Sequence, residues 1–282
     1  MTSSGIIIGV IICLSPLLAA ALVVPPSAIT RLRPSGPGFA VLPDALEPSA
    51  VRLLKKDVET LRGEKRFAMA GIGDTEMNRI DDSVRQCSQC FLFPRIKHGH
   101  GGHAGGRTLL YDAVDAIRKS LQEGTGVPLD ALLTEGLYAA YPNGGFYRRH
   151  IDSYPNTPQA SRRFSYLLYL NDNWQESDGG CLRIHTDGGV EMAPIGAQPS
   201  FVDVEPRGGT LVLFRSDVPH EVLDTSSPRL AVAGWFNAPP TASSARRMVI
   251  AALGGTLVVG GAIKSVLAGL GGGGARQAGS EQ

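Results

Sequence analysis

The sequence predicts a mainly β protein, a double-stranded β-helix (jelly roll) with buttressing α-helices. Three observations carry this prediction: a run of short segments of strand composition, glycine turns between them, and two amphipathic segments ahead of the run. Short strands separated by turns are typical of barrels and double-sheet jelly rolls. A barrel mouth is a frequent place for a small-molecule site, so the prediction also says where to look for function.

The two amphipathic segments are Pro48–Lys65 and Thr108–Gln122. In both, apolar residues recur every three or four positions among charged ones, which is the spacing of one helix face. We expect both helices to buttress one sheet.

Eight strands are predicted after the second helix. They are Leu137–Pro142, Phe146–Asp152, Arg163–Leu170, Cys181–His185, Phe201–Val204, Thr210–Arg215, His220–Leu223 and Arg229–Phe236. Turns at Asp178-Gly179-Gly180, Asp187-Gly188-Gly189 and Arg207-Gly208-Gly209 separate several of them.

The second of these strands carries a metal-binding pattern. It follows the turn at Tyr141–Gly145, and residues i and i+2 of a strand share a face. His150 and Asp152 can therefore bind one metal ion together with His220. Two histidines and one carboxylate that leave coordination positions open favour non-haem Fe(II). His-x-Asp alone is a weak motif, and the alternative is a solvated His and Asp on a surface strand.

The last strand adds an inward-facing cation. Period-2 alternation puts Arg229 on one face with Ala231, Ala233 and Trp235, while Leu230, Val232 and Phe236 lie on the other. A buried arginine is costly unless an anion pairs with it, and the planar guanidinium suits the far carboxylate of a 2-oxo acid such as 2-oxoglutarate. An arginine that reaches water from an edge strand is the alternative.

These stretches resemble a known family. From about Leu137 to Asn237, the runs YPNGGFYRRHID, SYLLYLNDNW, DGGCLRI, PRGGTLVLF, PHEV and RLAVAGWF are similar to the catalytic domain of egl-nine-type prolyl hydroxylases and their bacterial relatives among the 2-oxoglutarate/Fe(II) dioxygenases. The resemblance implies that His150, Asp152 and His220 are the iron ligands and that Arg229 pairs with the 2-oxoglutarate carboxylate. It further implies that Tyr169 hydrogen-bonds the same carboxylate. The roles that it implies for the remaining aromatic residues are pocket lining for Tyr141 and Trp235 and the substrate entrance for Tyr147.

The resemblance also implies a reaction. O2 and 2-oxoglutarate are consumed, succinate and CO2 are formed, a C–H bond of a peptidyl proline becomes an alcohol, and ascorbate (vitamin C) keeps the iron reduced. Two alternatives stay open: a hydroxylase of a free amino acid or small metabolite, and a catalytically inactive, membrane-tethered binding module. The net charge of +1 gives no reason to expect a nucleic-acid partner.

The segment Cys87–Gly106 fits no motif of the family. Its side chains Cys87, Cys90, His98 and His103 could form a small zinc site, although the spacing is loose. The many glycines favour a mobile loop instead.

Both ends of the chain are apolar. Residues 1–30 hold no charged side chain, and Gly5–Val24 is long enough to span a bilayer, as a signal anchor, as a signal peptide cleaved near Ala19–Ala21 or Ser27-Ala28, or as part of an organelle presequence. Met248–Leu270 contains only Lys264 as a charge and is either a second membrane helix or a glycine-rich tail. If both ends span, the arginines beside them place the domain on the cytosolic or equivalent face, whereas a signal peptide sends it to the lumen.

These features divide the chain into three parts. Residues 1–41 are a targeting or anchor segment with a linker, residues 42–238 the dioxygenase domain with its core at 137–237, and residues 239–282 a linker with the apolar tail. We expect association with a membrane of the secretory pathway or of an organelle.

Overall fold

A computed structural model describes residues 22–72, 79–186 and 200–240 of the chain. Within these ranges the helices are α1 (Pro26–Leu32), α2 (Pro48–Gly63), α3 (Arg95–His98) and α4 (Ala104–Thr125). The strands are β1 (Phe39–Leu42), β2 (Ala68–Met69), β3 (Ser88–Phe93), β4 (Glu135–Tyr141), β5 (Tyr147–His150), β6 (Arg162–Tyr169), β7 (Leu182–His185), β8 (Phe201–Val204), β9 (Leu211–Arg215), β10 (His220–Val222) and β11 (Arg229–Asn237).

The described strands form two antiparallel sheets. The larger has the order β1-β9-β6-β11-β4-β3-β2, and the smaller has the order β5-β10-β7-β8. All eight predicted strands are present, with ends that differ by a few residues. The mainly β fold with few helices confirms the predicted fold class.

Two clusters of buried side chains fill the space around the larger sheet. The helix-side core joins α1, α2 and α4 to one face of that sheet and includes Leu54, Val232 and Phe236. The inter-sheet core lies between the two sheets and includes Ala231 and Tyr169. The alternation predicted for the last strand is therefore correct, because successive residues of β11 enter different cores.

The two long helices pack on the sheet as predicted. A Cβ at Gly106 of α4 would lie 2.8 Å from the carbonyl oxygen of Leu53 in α2, so glycine permits the close approach of the two helices. Asp57 of α2 forms a buried ion pair with Arg107 of α4, with a distance of 2.9 Å between Oδ2 and Nε. The hydroxyl of Tyr138 on β4 donates to the same carboxylate at 2.8 Å, which ties both helices to the sheet.

Strands β1, β2 and β3 were not predicted from the sequence, and the presence of β3 shows that one expectation was wrong. The segment Cys87–Gly106 is not a mobile loop, because it contains β3, α3 and the first turn of α4. Its glycines serve the start of α4, where Nδ1 of His103 accepts a hydrogen bond from the N–H of Gly106.

The start of the described chain also differs from the predicted domain boundary. Helix α1 buries Ala28, Ile29 and Leu32, and β1 pairs with β9 from Phe39 to Leu42, so the folded unit extends upstream of residue 42. Cleavage between Ser27 and Ala28 would cut inside α1 and remove part of this packed helix.

The predicted apolar segments at the two ends, Gly5–Val24 and Met248–Leu270, lie almost wholly outside the described residues; only the last few residues of the first are described. Among the helices of residues 22–72, 79–186 and 200–240, none has both the length and the apolarity that a membrane crossing requires.

Candidate metal centre

Three side chains with metal-binding atoms meet beside β5 and β10 of the smaller sheet. His150 ends β5, His220 begins β10, and the two residues are directly paired across the strands. One potential ligand atom from each, together with one from Asp152, lies within 4.8 Å of the others, and no second group of this kind occurs in the described residues.

Asp152 reaches this point in a way that the sequence did not indicate. Strand β5 ends at His150, so the predicted strand to residue 152 is too long and the shared strand face is not the reason for the contact. Instead the backbone N–H of Asp152 donates to the carbonyl oxygen of Ser216 at 2.9 Å. Its Oδ1 then lies 3.8 Å from Nε2 of His150, and its Oδ2 lies 3.6 Å from Nε2 of His220.

Backbone contacts orient both imidazole rings. Nδ1 of His150 lies 2.7 Å from the carbonyl oxygen of Arg148, and Nδ1 of His220 lies 2.9 Å from that of Val218. A carbonyl oxygen can only accept, so Nδ1 carries the proton in each neutral ring and the Nε2 lone pair is available to a metal ion in the space shared with the Asp152 carboxylate.

The protonation states also suit a metal ion. Burial, reinforced by the neighbouring His220, lowers the pKa of His150 to about 3, so the ring is neutral at physiological pH. Burial alone would raise the pKa of Asp152, but His220, Arg162 and the hydrogen bond from the Ser165 hydroxyl hold it below the usual value. Metal ligation requires neutral histidine and ionised carboxylate.

The donor set therefore fits Fe(II). Two imidazole nitrogens and one carboxylate supply three protein ligands, and this facial set leaves further positions for a co-substrate and O2. The hydroxyl of Ser165 donates to Oδ2 of Asp152 at 2.7 Å and restrains the carboxylate.

A cationic corner lies on the larger sheet, where β11 pairs with β4 and β6. Arg229 is 4% exposed, and its guanidinium carbon lies 4.9 Å from the ring centre of Tyr141 and 5.0 Å from that of Tyr169. Nε of Arg229 donates to the carbonyl oxygen of Gly180 at 2.9 Å.

Two polar atoms in this corner have no hydrogen-bond partner among the described residues. They are Nη2 of Arg229 and Oη of Tyr169, both buried. Burial raises the pKa of Tyr169, with Arg229 partly offsetting it, so the phenol keeps its proton and can donate. Buried donors are nearly always satisfied, and one carboxylate would accept from both. The corner therefore fits the carboxylate of 2-oxoglutarate.

The remaining predicted site residues border this space. Tyr141 is buried beside Arg229, and Trp235 has a buried Nε1 without a partner in the described residues. The Tyr147 ring stacks on the ring of His150 with 3.7 Å between centroids.

Sequence reasoning missed three residues of the site. Ser165 holds the Asp152 carboxylate, and Arg162 donates from Nη1 to the Asp152 carbonyl oxygen at 3.2 Å. The Arg85 guanidinium carbon lies 4.5 Å from the ring centre of Tyr147, so cation, phenol and imidazole form one stack. No local pattern identifies these residues, because each contact depends on strand pairing.

The candidate zinc site is not supported by the structure. Cys87 lies in the inter-sheet core and Cys90 in the helix-side core, on opposite faces of the larger sheet. His103 uses Nδ1 to cap α4. These side chains therefore cannot converge on one ion.

Comparisons with known proteins agree with this chemistry. Residues 136–237 match the model of the 2OG-Fe(II) oxygenase superfamily. The chain is 26% identical over 210 residues to the hypoxia-inducible factor prolyl hydroxylase of Caenorhabditis elegans, and the aligned region covers 71% of this chain and 26% of that protein. It is 38% identical over 82 residues to prolyl 3-hydroxylase OGFOD1 of Xenopus laevis, which covers 27% of this chain and 15% of that protein.

Among solved structures, a Pseudomonas putida prolyl-4-hydroxylase is 28% identical with a TM-score of 0.58, covering 75% of this chain and 97% of that one. A prolyl hydroxylase of Trichoplax adhaerens, in complex with a hypoxia inducible factor peptide fragment, is 23% identical with a TM-score of 0.59, covering 74% of this chain and 87% of that one. The latter likeness bears on the fold alone. The chain spans about a quarter of the length of the Caenorhabditis relative.

Proposed function

We propose that this chain, whose residues 136–237 belong to the 2OG-Fe(II) oxygenase superfamily, hydroxylates a peptidyl proline. The observation that carries the proposal is the His150, Asp152 and His220 group together with a buried corner that holds unpartnered atoms of Arg229 and Tyr169. A metal-binding set and a carboxylate-binding corner within one inter-sheet space are what an enzyme needs to use Fe(II) and 2-oxoglutarate together.

Each residue has a defined task in this proposal. His150, Asp152 and His220 would hold the iron, while Arg229 and Tyr169 would hold the far carboxylate of 2-oxoglutarate. When bound, these two groups supply the oxidising chemistry that divides O2 between succinate and the hydroxylated product. Ala231 and Ala233 leave room beside the corner, and the surrounding aromatic side chains exclude water.

The choice of a prolyl substrate rests on the relatives. Two relatives with prolyl hydroxylase activity in their names match the chain in sequence, and the solved Pseudomonas putida enzyme matches in fold and in sequence. A peptide partner follows from this choice. Ascorbate is the expected reductant.

Mass spectrometry of product peptides tests the proposal. The full chain is incubated with Fe(II), ascorbate, 2-oxoglutarate and proline-containing peptides, and fragmentation locates the gain of one oxygen atom. We expect oxygen from labelled O2 on proline, matched by succinate, and no product with the variant His220→Ala. Turnover with free amino acids but not with peptides would instead establish the metabolite hydroxylase. Iron binding without any turnover would establish the binding module.

We also propose that the chain associates with a membrane of the secretory pathway or of an organelle. The apolar runs Gly5–Val24 and Met248–Leu270 support this proposal. Protease protection on intact microsomes or organelles tests it, with detergent as the control. A chain that is fully soluble after fractionation, with residues 1–30 still attached, would contradict it.

A further inference from the structure

A cavity of about 260 Å³ shares Ser153 and Arg162 with the surroundings of the metal centre, and four arginines line it. The four arginines are Arg33 after α1, Arg162 and Arg163 at the start of β6, and Arg215 at the end of β9. Asp217 is the acidic residue of the lining. Nothing in the proposed reaction at the iron requires this concentration of positive charge.

The arginines are held mainly by backbone carbonyl groups rather than by carboxylates. Arg33 donates to the carbonyl oxygen of Gly124 at 3.0 Å, Arg163 to that of Ala160 at 3.2 Å, and Arg215 to that of Arg33 at 3.2 Å. A carbonyl group fixes a guanidinium in place without neutralising its charge.

Only two of the four charges have an acidic partner in the part of the chain that the structure describes. Arg162 pairs with Glu135, and Arg215 pairs with Asp217 at 3.3 Å, whose side chain is 66% exposed. Arg33 and Arg163 have no carboxylate partner there. Like charges gathered around one cavity create a positive potential, and a guanidinium binds a carboxylate through two parallel hydrogen bonds.

The cavity and the metal centre share a wall. Ser153 lines the cavity and directly follows Asp152, and the backbone N–H groups of both donate to the carbonyl oxygen of Ser216 at 2.9 Å. Arg162 bonds to the Asp152 carbonyl oxygen, and its guanidinium carbon lies 3.9 Å from the ring centre of Trp235. The backbone at Asp152 and Ser153 and the Arg162 side chain therefore connect the cavity with the metal centre.

We propose that this cavity binds an acidic residue of the peptide substrate, a few positions from the residue that is hydroxylated. The proposal rests on the proposed function in one respect: it takes the substrate to be a peptide. It adds a preference for aspartate or glutamate at a fixed distance from the hydroxylated residue, and Arg33 and Arg163 would bind this acidic side chain.

Peptide binding to the full chain tests this proposal independently of turnover. Labelled peptides with one proline are compared by fluorescence anisotropy, in the presence of Fe(II) and 2-oxoglutarate without O2. A single glutamate is moved along the peptide on either side of the proline, and each peptide has a glutamine counterpart. At one position the glutamate peptide should bind about tenfold more tightly, which corresponds to about 1.4 kcal/mol.

Charge variants then assign that preference to the cavity. The double variant Arg33→Gln with Arg163→Gln should lose the preference while keeping the affinity for the glutamine peptide. The variant Arg52→Gln, which removes an exposed arginine of α2, is the control and should keep it. The preference should also weaken as the salt concentration rises.

Three results would overturn the proposal: no position at which glutamate helps, an equal preference in the double variant, or binding of inorganic phosphate in the cavity without any effect of peptide glutamate. The hydroxylation assay is run beside these measurements with the glutamine peptides. If no peptide is hydroxylated but the glutamate preference follows Arg33 and Arg163, the proposed reaction fails and the cavity assignment stands.

Discussion

The variant Arg229→Ala gives the most direct test of the carboxylate-binding corner. It removes Nη2, which has no partner among the described residues, together with the Nε donor to Gly180. Among the iron ligands, His150 and His220 belong to the other sheet and Asp152 follows β5, so all three keep their positions. We therefore expect weaker binding of 2-oxoglutarate and almost unchanged binding of iron.

The size of the effect is set by the hydrogen bonds between the guanidinium and the co-substrate carboxylate. A hydrogen bond to a charged group contributes about 1.5–3 kcal/mol, and each 1.4 kcal/mol is a factor of ten in affinity. The apparent KM for 2-oxoglutarate should thus rise about tenfold to a hundredfold or more. Arg229→Lys keeps the charge but not the planar guanidinium, so its KM for 2-oxoglutarate should lie between that of the wild-type protein and that of Arg229→Ala.

Succinate formation at varied 2-oxoglutarate concentrations measures the KM, and anaerobic titration with Fe(II) measures the metal affinity. Thermal unfolding of each variant is the control for folding, because Arg229 is buried against Tyr141 and Tyr169. An unchanged KM in a folded Arg229→Ala protein would refute the assignment. A loss of iron binding equal to the loss of 2-oxoglutarate binding would also refute it.

The iron ligands, the Tyr169 phenol and the buried ion pair can each be tested by one substitution. The iron ligands are His150, Asp152 and His220, and alanine at any one of them should abolish most iron-dependent turnover. Near wild-type decarboxylation of 2-oxoglutarate in two of these three variants would refute the site. Tyr169→Phe removes one neutral donor, worth about 0.5–1.5 kcal/mol, so its KM for 2-oxoglutarate should rise about two- to tenfold, less than in Arg229→Ala. Asp57→Ala leaves the Arg107 charge buried without its partner and should lower the free energy of unfolding in urea by about 3–5 kcal/mol; a change below about 1 kcal/mol would mean that the pair is solvated.

Local patterns in the sequence were sufficient for much of the fold. Strand β11 alternates between the two cores as its period-2 pattern predicts, and α2 and α4 bury the faces that their apolar spacing indicates. Such patterns are readable because each residue's environment is set by its own strand or helix. The segment Cys87–Gly106 was misread because its glycines permit close packing at the start of α4, which composition alone does not distinguish from a loop.

Contacts between segments that are distant in the chain could not be predicted from the sequence. The residue types at the metal centre were evident, but Asp152 is placed by the Ser216 carbonyl and restrained by Ser165, neither of which belongs to a motif. The arginine cavity likewise collects residues from α1, β6 and β9. Only the pairing of β1 with β9 and of β9 with β6 brings these segments together.

The position of the site between the sheets links co-substrate binding to the packing of the fold. The smaller sheet supplies His150 and His220 through the pairing of β5 with β10, and the larger sheet supplies Arg229 and Tyr169 through β11 and β6. A 2-oxoglutarate molecule bound to iron at one end and to Arg229 at the other would therefore connect the two sheets directly. A ligand that binds only the folded state stabilises it, so iron with 2-oxoglutarate should raise the unfolding temperature more than iron alone. In Arg229→Ala this additional increase should become smaller at the same 2-oxoglutarate concentration, because only Tyr169 of the two carboxylate partners then remains on the larger sheet.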